Sequence, residues 1–408
     1  MSERQAAVIV GGGLAAAKAV ESLRSNGLEG GIVLIGEEPE LPYERPPLSK
    51  DYLRGESDRE AARPHPEEFY TENEIELRTG TRVEEIVTGE REVVLDGGER
   101  IGWERLLVAT GAEPRRLDLP GSDLDGILYL RDFGDADRLA TALGEASRVA
   151  VVGAGWIGAE VAASARQLGV DVTLIERAEV PLEAVLGREV GAIYADVHRE
   201  HDVELLAGAA TEGFEGDGRV EAVRIADGDP VACDLVVVGI GVVPRTALAE
   251  AAGIEIDNGI VADERLETSV AGIFAAGDVV NAYNPFYERR LRVEHWANAI
   301  RTGEEAGRTM LGQPAGEPQI PYFFSDQYDV GMEYRGYASG DDEVVFRGDT
   351  KGREFIAFWL QGDRVAAAMN VNLWDYGDEI EALIRSRQPV DRERLRDPDV
   401  PIDRLADG

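Results

Sequence analysis

The sequence predicts an α/β fold with two Rossmann-type domains, followed by a smaller α+β domain. Three observations predict it. Two segments, Ala7-Val8-Ile9-Val10-Gly11-Gly12-Gly13 and Val149-Ala150-Val151-Val152-Gly153-Ala154-Gly155, each run from an apolar strand into glycines and then into an Ala-rich helical stretch. After each helix comes a second apolar strand that ends in acid, residues 32–35 before Glu37 and residues 172–175 before Glu176. Strands apolar along their whole length suit parallel sheets covered on both faces. Near residue 317 the pattern changes to alternating strands joined by Gly/Asp turns, which marks the third domain.

Further strands are expected at residues 106–109, 235–238 and 272–275, and a helix from Trp296 to Leu311. Residues 312–321, containing Pro and Gly, read as a linker. Strands at 344–347, 355–360 and 365–371 and a helix at 378–387 are expected in the third domain. The reading divides the chain into a first domain of residues 1–113 and 246–316, a second of 114–245, and a third of 317–408.

A chain of 408 residues exceeds one ordinary core, in keeping with several domains. Met1 leads almost at once into the apolar run 6–10, leaving no room for a secretory signal. The most apolar later stretch, residues 235–243, is too short to span a bilayer, so a cytoplasmic location is expected. Acidic residues outnumber basic ones by 79 to 42, for a formal charge of −37. That field repels nucleic acid and anionic membranes, and neither is expected as a partner. The single cysteine, Cys233, rules out an internal disulfide and a Cys-rich metal site. Among the four histidines, His198 and His201 lie three apart and read as a solvated helix end. No metal is expected.

The first glycine motif is Gly11-x-Gly13-x-x-Ala16. Gly11 permits the tight turn, Gly13 lets a pyrophosphate approach the backbone, and small Ala16 lets the helix pack on its strand. The helix start offers free N–H groups and a positive dipole end to phosphate. Glu37 stands where an acid accepts hydrogen bonds from an adenosine ribose. The second motif, Gly153-x-Gly155-x-x-Gly158 followed by Glu176, is complete. An acid there pairs with a free ribose 2′-hydroxyl and repels a 2′-phosphate, which favours NADH over NADPH; Arg177 beside it is the one feature that suits a phosphate. Assignment of FAD to the first site rests on Ala275-Ala276-Gly277-Asp278, a strand ending in Gly then Asp. That order suits a backbone near pyrophosphate and a carboxylate accepting a ribityl hydroxyl. The helix from Trp296 would then direct its positive end at the flavin.

With these motifs the chain resembles the two-dinucleotide flavoproteins that include glutathione reductase. Within them it resembles the NADH-dependent ferredoxin reductases of bacterial oxygenase systems, such as putidaredoxin and rubredoxin reductases. The resemblance is carried by Leu41-Pro42-Tyr43-Glu44-Arg45-Pro46-Pro47-Leu48-Ser49-Lys50, Ala109-Thr110-Gly111, Gly239-Ile240-Gly241-Val242-Val243-Pro244, Ala276-Gly277-Asp278 and Ser325-Asp326-Gln327-Tyr328. It implies that Glu37, Arg45, Lys50, Val83, Arg131, Asp278 and Trp296 surround FAD, together with Ala109, Thr110, Gly111 and Gly277. It implies that Gly153, Gly155, Gly158, Glu160, Glu176 and Gly241 surround the nicotinamide cofactor, and that Lys50 and Glu160 pair beside flavin N5, where hydride arrives. A cation there stabilises reduced flavin, and its carboxylate partner orients it. Phe324 stands where relatives often carry Trp; it can pack at a flavin edge but donates no N–H bond.

Disulfide reductases of the superfamily need a cysteine beside the flavin, because a thiolate attacks the substrate. Residues 42–50 hold none, and Cys233 reads as a small buried hydrophobe. Reduced flavin must then hand its electrons to another acceptor; a flavin can release them singly, and the resemblance implies a 2Fe–2S ferredoxin or a rubredoxin-like protein. An acidic carrier would need a local basic patch, for which Arg289, Arg290, Arg292, Arg301, Arg308 and Arg335 are candidates. Two other readings stay open: an NADH oxidase or quinone-reducing flavoprotein, and an NADH-responsive flavoprotein resembling apoptosis-inducing factor.

Overall fold

The computed structural model describes residues 4–406; Met1, the first residues of the expected first domain and residues 407–408 of the last lie outside the described residues. The two glycine motifs and their surroundings are carried by β1 (Ala7–Val10), α1 (Leu14–Ser25), β2 (Ile32–Ile35), β3 (Arg148–Val152), α2 (Trp156–Gln167), β4 (Asp171–Glu176), α3 (Glu183–Glu200) and α4 (Trp296–Met310).

The chain divides into two compact units, neither continuous in sequence. The first comprises residues 1–45, 58–113 and 242–319. Its parallel sheet runs Ile273–Ala275, Leu106–Val108, β1, β2, Ile75–Arg78. Every residue of β1 and β2 is buried, as wholly apolar strands require when both sheet faces are covered. Helix α1 packs along α4 at close range. A Cβ at Gly303 would meet Ala15 O at 2.4 Å, and one at Gly307 would meet Ser22 Cβ at 2.5 Å. Glycine at both positions of the Gly303-x-x-x-Gly307 stripe is what lets the two backbones approach, and the Ser22 hydroxyl donates across the seam to Glu304 O at 2.7 Å.

The second unit comprises residues 46–57, 114–241 and 320–408. Its parallel sheet runs Glu204–Ala207, β4, β3, Leu235–Val238, Ile127–Leu128, so β3 occupies the central place that β1 holds in the first. The same unit holds a five-stranded antiparallel sheet ordered Tyr322–Gln327, Val330–Gly336, Arg364–Val371, Glu354–Gln361, Glu343–Asp349. Leu186, Val190, Tyr194 and Val197 of α3 bury against Met332, Tyr334, Trp359 and Met369 of that sheet. The alternating burial of Val330–Gly336 is the period-two signal of a strand with one face on a core.

Elements predicted from the sequence differ from those observed by a residue or two at their ends: Leu106–Val108, Trp296–Met310 and Gly377–Ser386. One reading is corrected. His198 is not on a solvated helix end but fully buried, 0% exposed. It lies on the α3 face that also buries Tyr194, one turn earlier, and Tyr328 covers it with its hydroxyl 3.3 Å from His198 Nδ1. His201 does lie at the helix end, its ring stacked on Tyr328 at 3.6 Å. No helix among the described residues is long and apolar enough to cross a membrane, and no cluster of three or more His, Cys, Asp or Glu among them could hold a metal.

Candidate functional site

In the first unit the glycine loop is built by close backbone approach. Gly11 has φ +127°, and a Cβ there would lie 2.1 Å from Ala109 O, whereas a Cβ at Gly13 would meet nothing within 4 Å. The first glycine therefore serves the turn, and the second leaves open space over the helix start. Helix α1 begins at Gly13 with no side-chain cap, so its first N–H groups are offered outward. Ala16 is fully buried. Strand ends at Ala109, Thr110 and Gly111 lie beside this loop: Ala109 N–H donates to Val10 O at 2.7 Å, and the Thr110 hydroxyl donates to Arg245 O at 2.8 Å. Gly277, at φ +77°, receives its anchor from α4, where Thr302 Oγ1 accepts its N–H at 2.9 Å; Asp278 follows. Glu37 is exposed, with Arg245 at 3.3 Å and Arg82 at 3.8 Å.

Arg45 donates to Glu38 Oε1 at 2.7 Å and to the Tyr43 hydroxyl at 3.0 Å. Burial opposes its charge, yet Tyr43, Glu38 and Asp278 together outweigh that and hold its pKa above the ordinary value. Beside it, burial pushes the Glu44 carboxyl up, held back by a hydrogen bond from Trp296 and by Lys18. Trp296 opens α4, whose first turn is capped by His295. Val83 is buried at the start of its strand.

In the second unit Gly153 has φ +97° and a Cβ there would lie 2.5 Å from Gly239 O. Gly158 is tighter still, 1.9 Å from Gly153 O, so this helix sits closer on its loop than α1 does, where Ala16 fits. Helix α2 also starts on a glycine, Gly155, with no side-chain cap. Glu176 closes the loop: its Oε2 accepts from Ala154 N–H at 2.6 Å and its Oε1 from Ala178 N–H at 2.8 Å. Gly155, Gly241 and Arg177 are exposed, and Gly241 has φ +96° with open space where a Cβ would be. Arg131 donates its backbone N–H to Asp135 at 2.9 Å, just ahead of the helix that Asp132 caps.

The same unit brings together Lys50 and Glu160, which lie 110 positions apart in sequence (160 less 50). Lys50 Nζ is 3.1 Å from Glu160 Oε2, with side chains 12% and 7% exposed. The Ser49 hydroxyl donates to the same oxygen at 2.5 Å, and the Ser325 hydroxyl to Oε1 at 2.7 Å. Lys50 Nζ also stands 5.6 Å from the centre of the Phe324 ring, within reach of a cation–π contact. Burial raises the neighbouring Asp326 carboxyl, opposed by Lys50 and reinforced by Glu160 and Asp51. The sequence alone assigns no role to Ser49 or Ser325, although both sit in its two most distinctive runs.

The uncapped glycine starts of α1 and α2, the open space at Gly13 and the anchored acid Glu176 fit a dinucleotide's pyrophosphate and ribose in each unit. Cys233 is buried and unbonded, and burial pushes its thiol up to about 11, so it supplies no ready thiolate. Of the candidate basic patch, Arg292, Arg308 and Arg335 pair with Glu294, Glu305 and Glu333. Arg289 and Arg290 are exposed and Arg301 is half-buried.

Residues 5–303 match the family described as pyridine nucleotide-disulphide oxidoreductase. The chain belongs to that family. Its residues 322–406 match the family described as reductase C-terminal. Members of the pyridine nucleotide-disulphide oxidoreductase family are FAD-dependent oxidoreductases that use NAD(P)H. The chain is 36% identical to putidaredoxin reductase of Pseudomonas putida, over 98% of this chain and 97% of that one. It is 38% identical to the ferredoxin–NAD(+) reductase component of the anthranilate 1,2-dioxygenase system of Burkholderia cepacia, over 96% and 97%. Among solved structures it matches the covalent putidaredoxin reductase–putidaredoxin complex with TM-score 0.93 at 36% identity, covering 98% of both chains. It matches the ferredoxin reductase for the CYP199A2 system of Rhodopseudomonas palustris with TM-score 0.94 at 32% identity, covering 99% and 100%.

Proposed function

We propose that this protein is an NADH:ferredoxin reductase of an oxygenase system, working in the cytoplasm and delivering electrons from NADH through FAD to a 2Fe–2S ferredoxin or a rubredoxin-like carrier. The observation that carries the reading is the end-to-end likeness to reductases of such systems, in a chain whose one thiol is buried. In this reading FAD belongs to residues 1–113 and 246–316, NADH to 114–245, and residues 317–408 form a third domain.

FAD, when bound, supplies the step from a two-electron hydride to single electrons. The residues of the chain do the rest. Gly11, Gly13, Ala16, Ala109, Thr110, Gly111 and Gly277 shape the FAD pyrophosphate cradle, Glu37 takes the adenosine ribose, and Asp278 takes the ribityl chain. Arg45, Val83, Arg131 and Trp296 complete the FAD surroundings. Gly153, Gly155, Gly158 and Gly241 cradle NADH, and Glu176 selects it over NADPH by refusing a 2′-phosphate. Lys50 and Glu160 orient the hydride-accepting end, Lys50 by its charge and Glu160 by holding Lys50. No general acid or base is needed for electron transfer itself.

Anaerobic mixing with NADH is expected to bleach the yellow protein, and adding a 2Fe–2S ferredoxin to restore it. Lys50→Ala should slow bleaching roughly 100-fold, the scale of a lost charge-assisted contact, while leaving FAD bound. A ferredoxin that stays oxidised would refute the assignment of partner, and an unchanged bleaching rate would remove Lys50 from the site.

A further inference from the structure

We propose that Ser325 is a positioning residue for hydride acceptance: its hydroxyl fixes the second oxygen of Glu160, and through Glu160 it fixes the Lys50 ammonium. The inference rests on the role of Lys50 and Glu160 proposed above. It follows from how the carboxylate is held. Lys50 and Ser49 both approach Oε2, at 3.1 and 2.5 Å. With those contacts alone the carboxylate could still turn about its last bond. The Ser325 hydroxyl, 2.7 Å from Oε1, removes that freedom.

The direction of that bond is set from behind. Gln327, two residues along the same strand, donates its amide to Ser325 Oγ at 3.5 Å, which leaves the serine proton to point at Glu160. Ser325 and Gln327 are each 1% exposed and Glu160 is 6% exposed, so bulk water has little access to these lone pairs. Carboxylate oxygens withdrawn from water need hydrogen-bond donors from the protein, and here Lys50, Ser49 and Ser325 supply them.

The segment carrying Lys50 is tied to the same helix. Ser164, one turn after Glu160 on α2, donates its hydroxyl to Ser49 O at 2.7 Å. Residues i and i+4 of one helix face therefore grip Ser49–Lys50 through side chain and backbone. Ser325 adds a hydroxyl contact to Glu160 that comes from the C-terminal sheet. That sheet thus takes part in setting the Lys50 charge, beyond any role in meeting a carrier.

The test compares Ser325→Ala, Ser325→Thr and Glu160→Gln in the FAD-loaded protein. Loss of one charge-assisted hydrogen bond predicts flavin reduction by NADH about ten-fold slower in Ser325→Ala. The two-electron midpoint potential should fall, because a displaced ammonium stabilises the reduced flavin less. Ser325→Thr, which keeps the hydroxyl, should restore both rate and potential. If Ser325→Ala fails to retain FAD, Ser325→Cys takes its place, with the same shifts in smaller measure. A variant that holds FAD and shows an unmoved reduction rate and potential overturns the proposal. Glu160→Gln separates the two layers: if it reduces as fast as wild type, the role of the pair is itself wrong; if it is slow while Ser325→Ala is normal, only the positioning role falls.

Discussion

Lowering the pH should destabilise this protein through His198, by an amount that can be worked from its burial. The ring is fully buried, and burial lowers its pKa from 6.5 to about 4, against a hydrogen bond with Gln327 that raises it and reinforced by His201. The unfolded chain therefore binds the proton first. The stability His198 contributes is complete above pH 6.5 and is lost progressively as pH falls toward 4. At 1.36 kcal/mol per pH unit the loss amounts to about 2 kcal/mol at pH 5 and roughly 3 kcal/mol at the lower limit. Many carboxylates titrate in the same window, so the measurement has to be a difference. Chemical unfolding of wild type and of His198→Gln is followed at pH 7, 6 and 5, and the stability gap between them is plotted against pH. The gap should shrink by about 2 kcal/mol between pH 7 and pH 5. A gap that stays constant would mean that the buried imidazole accepts its proton without cost, and the account of His198 would be wrong.

Three further outcomes are expected. Gly158→Ala drives a methyl into Gly153 O, 1.9 Å away, an overpacking cost of roughly 1–3 kcal/mol. The KM for NADH should rise about ten-fold or more, with FAD content unchanged, whereas Ala16→Gly in the first loop should alter neither; an NADH KM unaffected by Gly158→Ala would contradict the close helix–loop contact. Glu176→Ala frees Ala154 and Ala178 N–H and removes the charge that repels a 2′-phosphate, so the NADH/NADPH ratio of kcat/KM should fall by about ten-fold; an unaltered ratio would place cofactor choice elsewhere, with Arg177 the next candidate. Iodoacetamide at pH 7 should leave activity intact, since a thiol held at about 11 is thiolate in only about one molecule in ten thousand. Activity lost in step with labelling of Cys233 would point to a sulfur relay.

Much of the fold was legible because parallel strands buried on both faces announce themselves as unbroken apolar runs, and because glycine is forced where backbones nearly touch. Gly11, Gly153 and Gly158 are such places. The site was less legible where it depends on segments far apart in sequence. Nothing local in Pro46-Pro47-Leu48-Ser49-Lys50 tells that it groups with residues 114–241, and only the family resemblance linked Lys50 to Glu160. Ser164 gave no signal at all: a serine in an Ala-rich helix is ordinary until the strand of chain it holds is known. His198 misled for a related reason. Its neighbours Arg199 and Glu200 are exposed, and the helical period alone does not say that α3 turns this one position toward Tyr328.

The interleaving of the two units sets the order in which the chain can fold. The parallel sheet around β3 draws all its strands from residues 127–238 and is complete once that stretch has been made. The sheet around β1 waits for Ile273–Ala275, and the apolar side of α1 waits for Gly303 and Gly307. At ribosomal speeds of about 5–20 residues per second, the stretch from α1 to α4 takes roughly 15–60 seconds to synthesise. Through that interval the nascent amino-terminal helix and strands carry uncovered apolar surface, and over its last part, after residue 238, a later-encoded sheet is already finished. A chaperone that binds the emerging chain would find its substrate there, and messages truncated between residue 238 and α4 would yield protein with one complete parallel sheet and one left open.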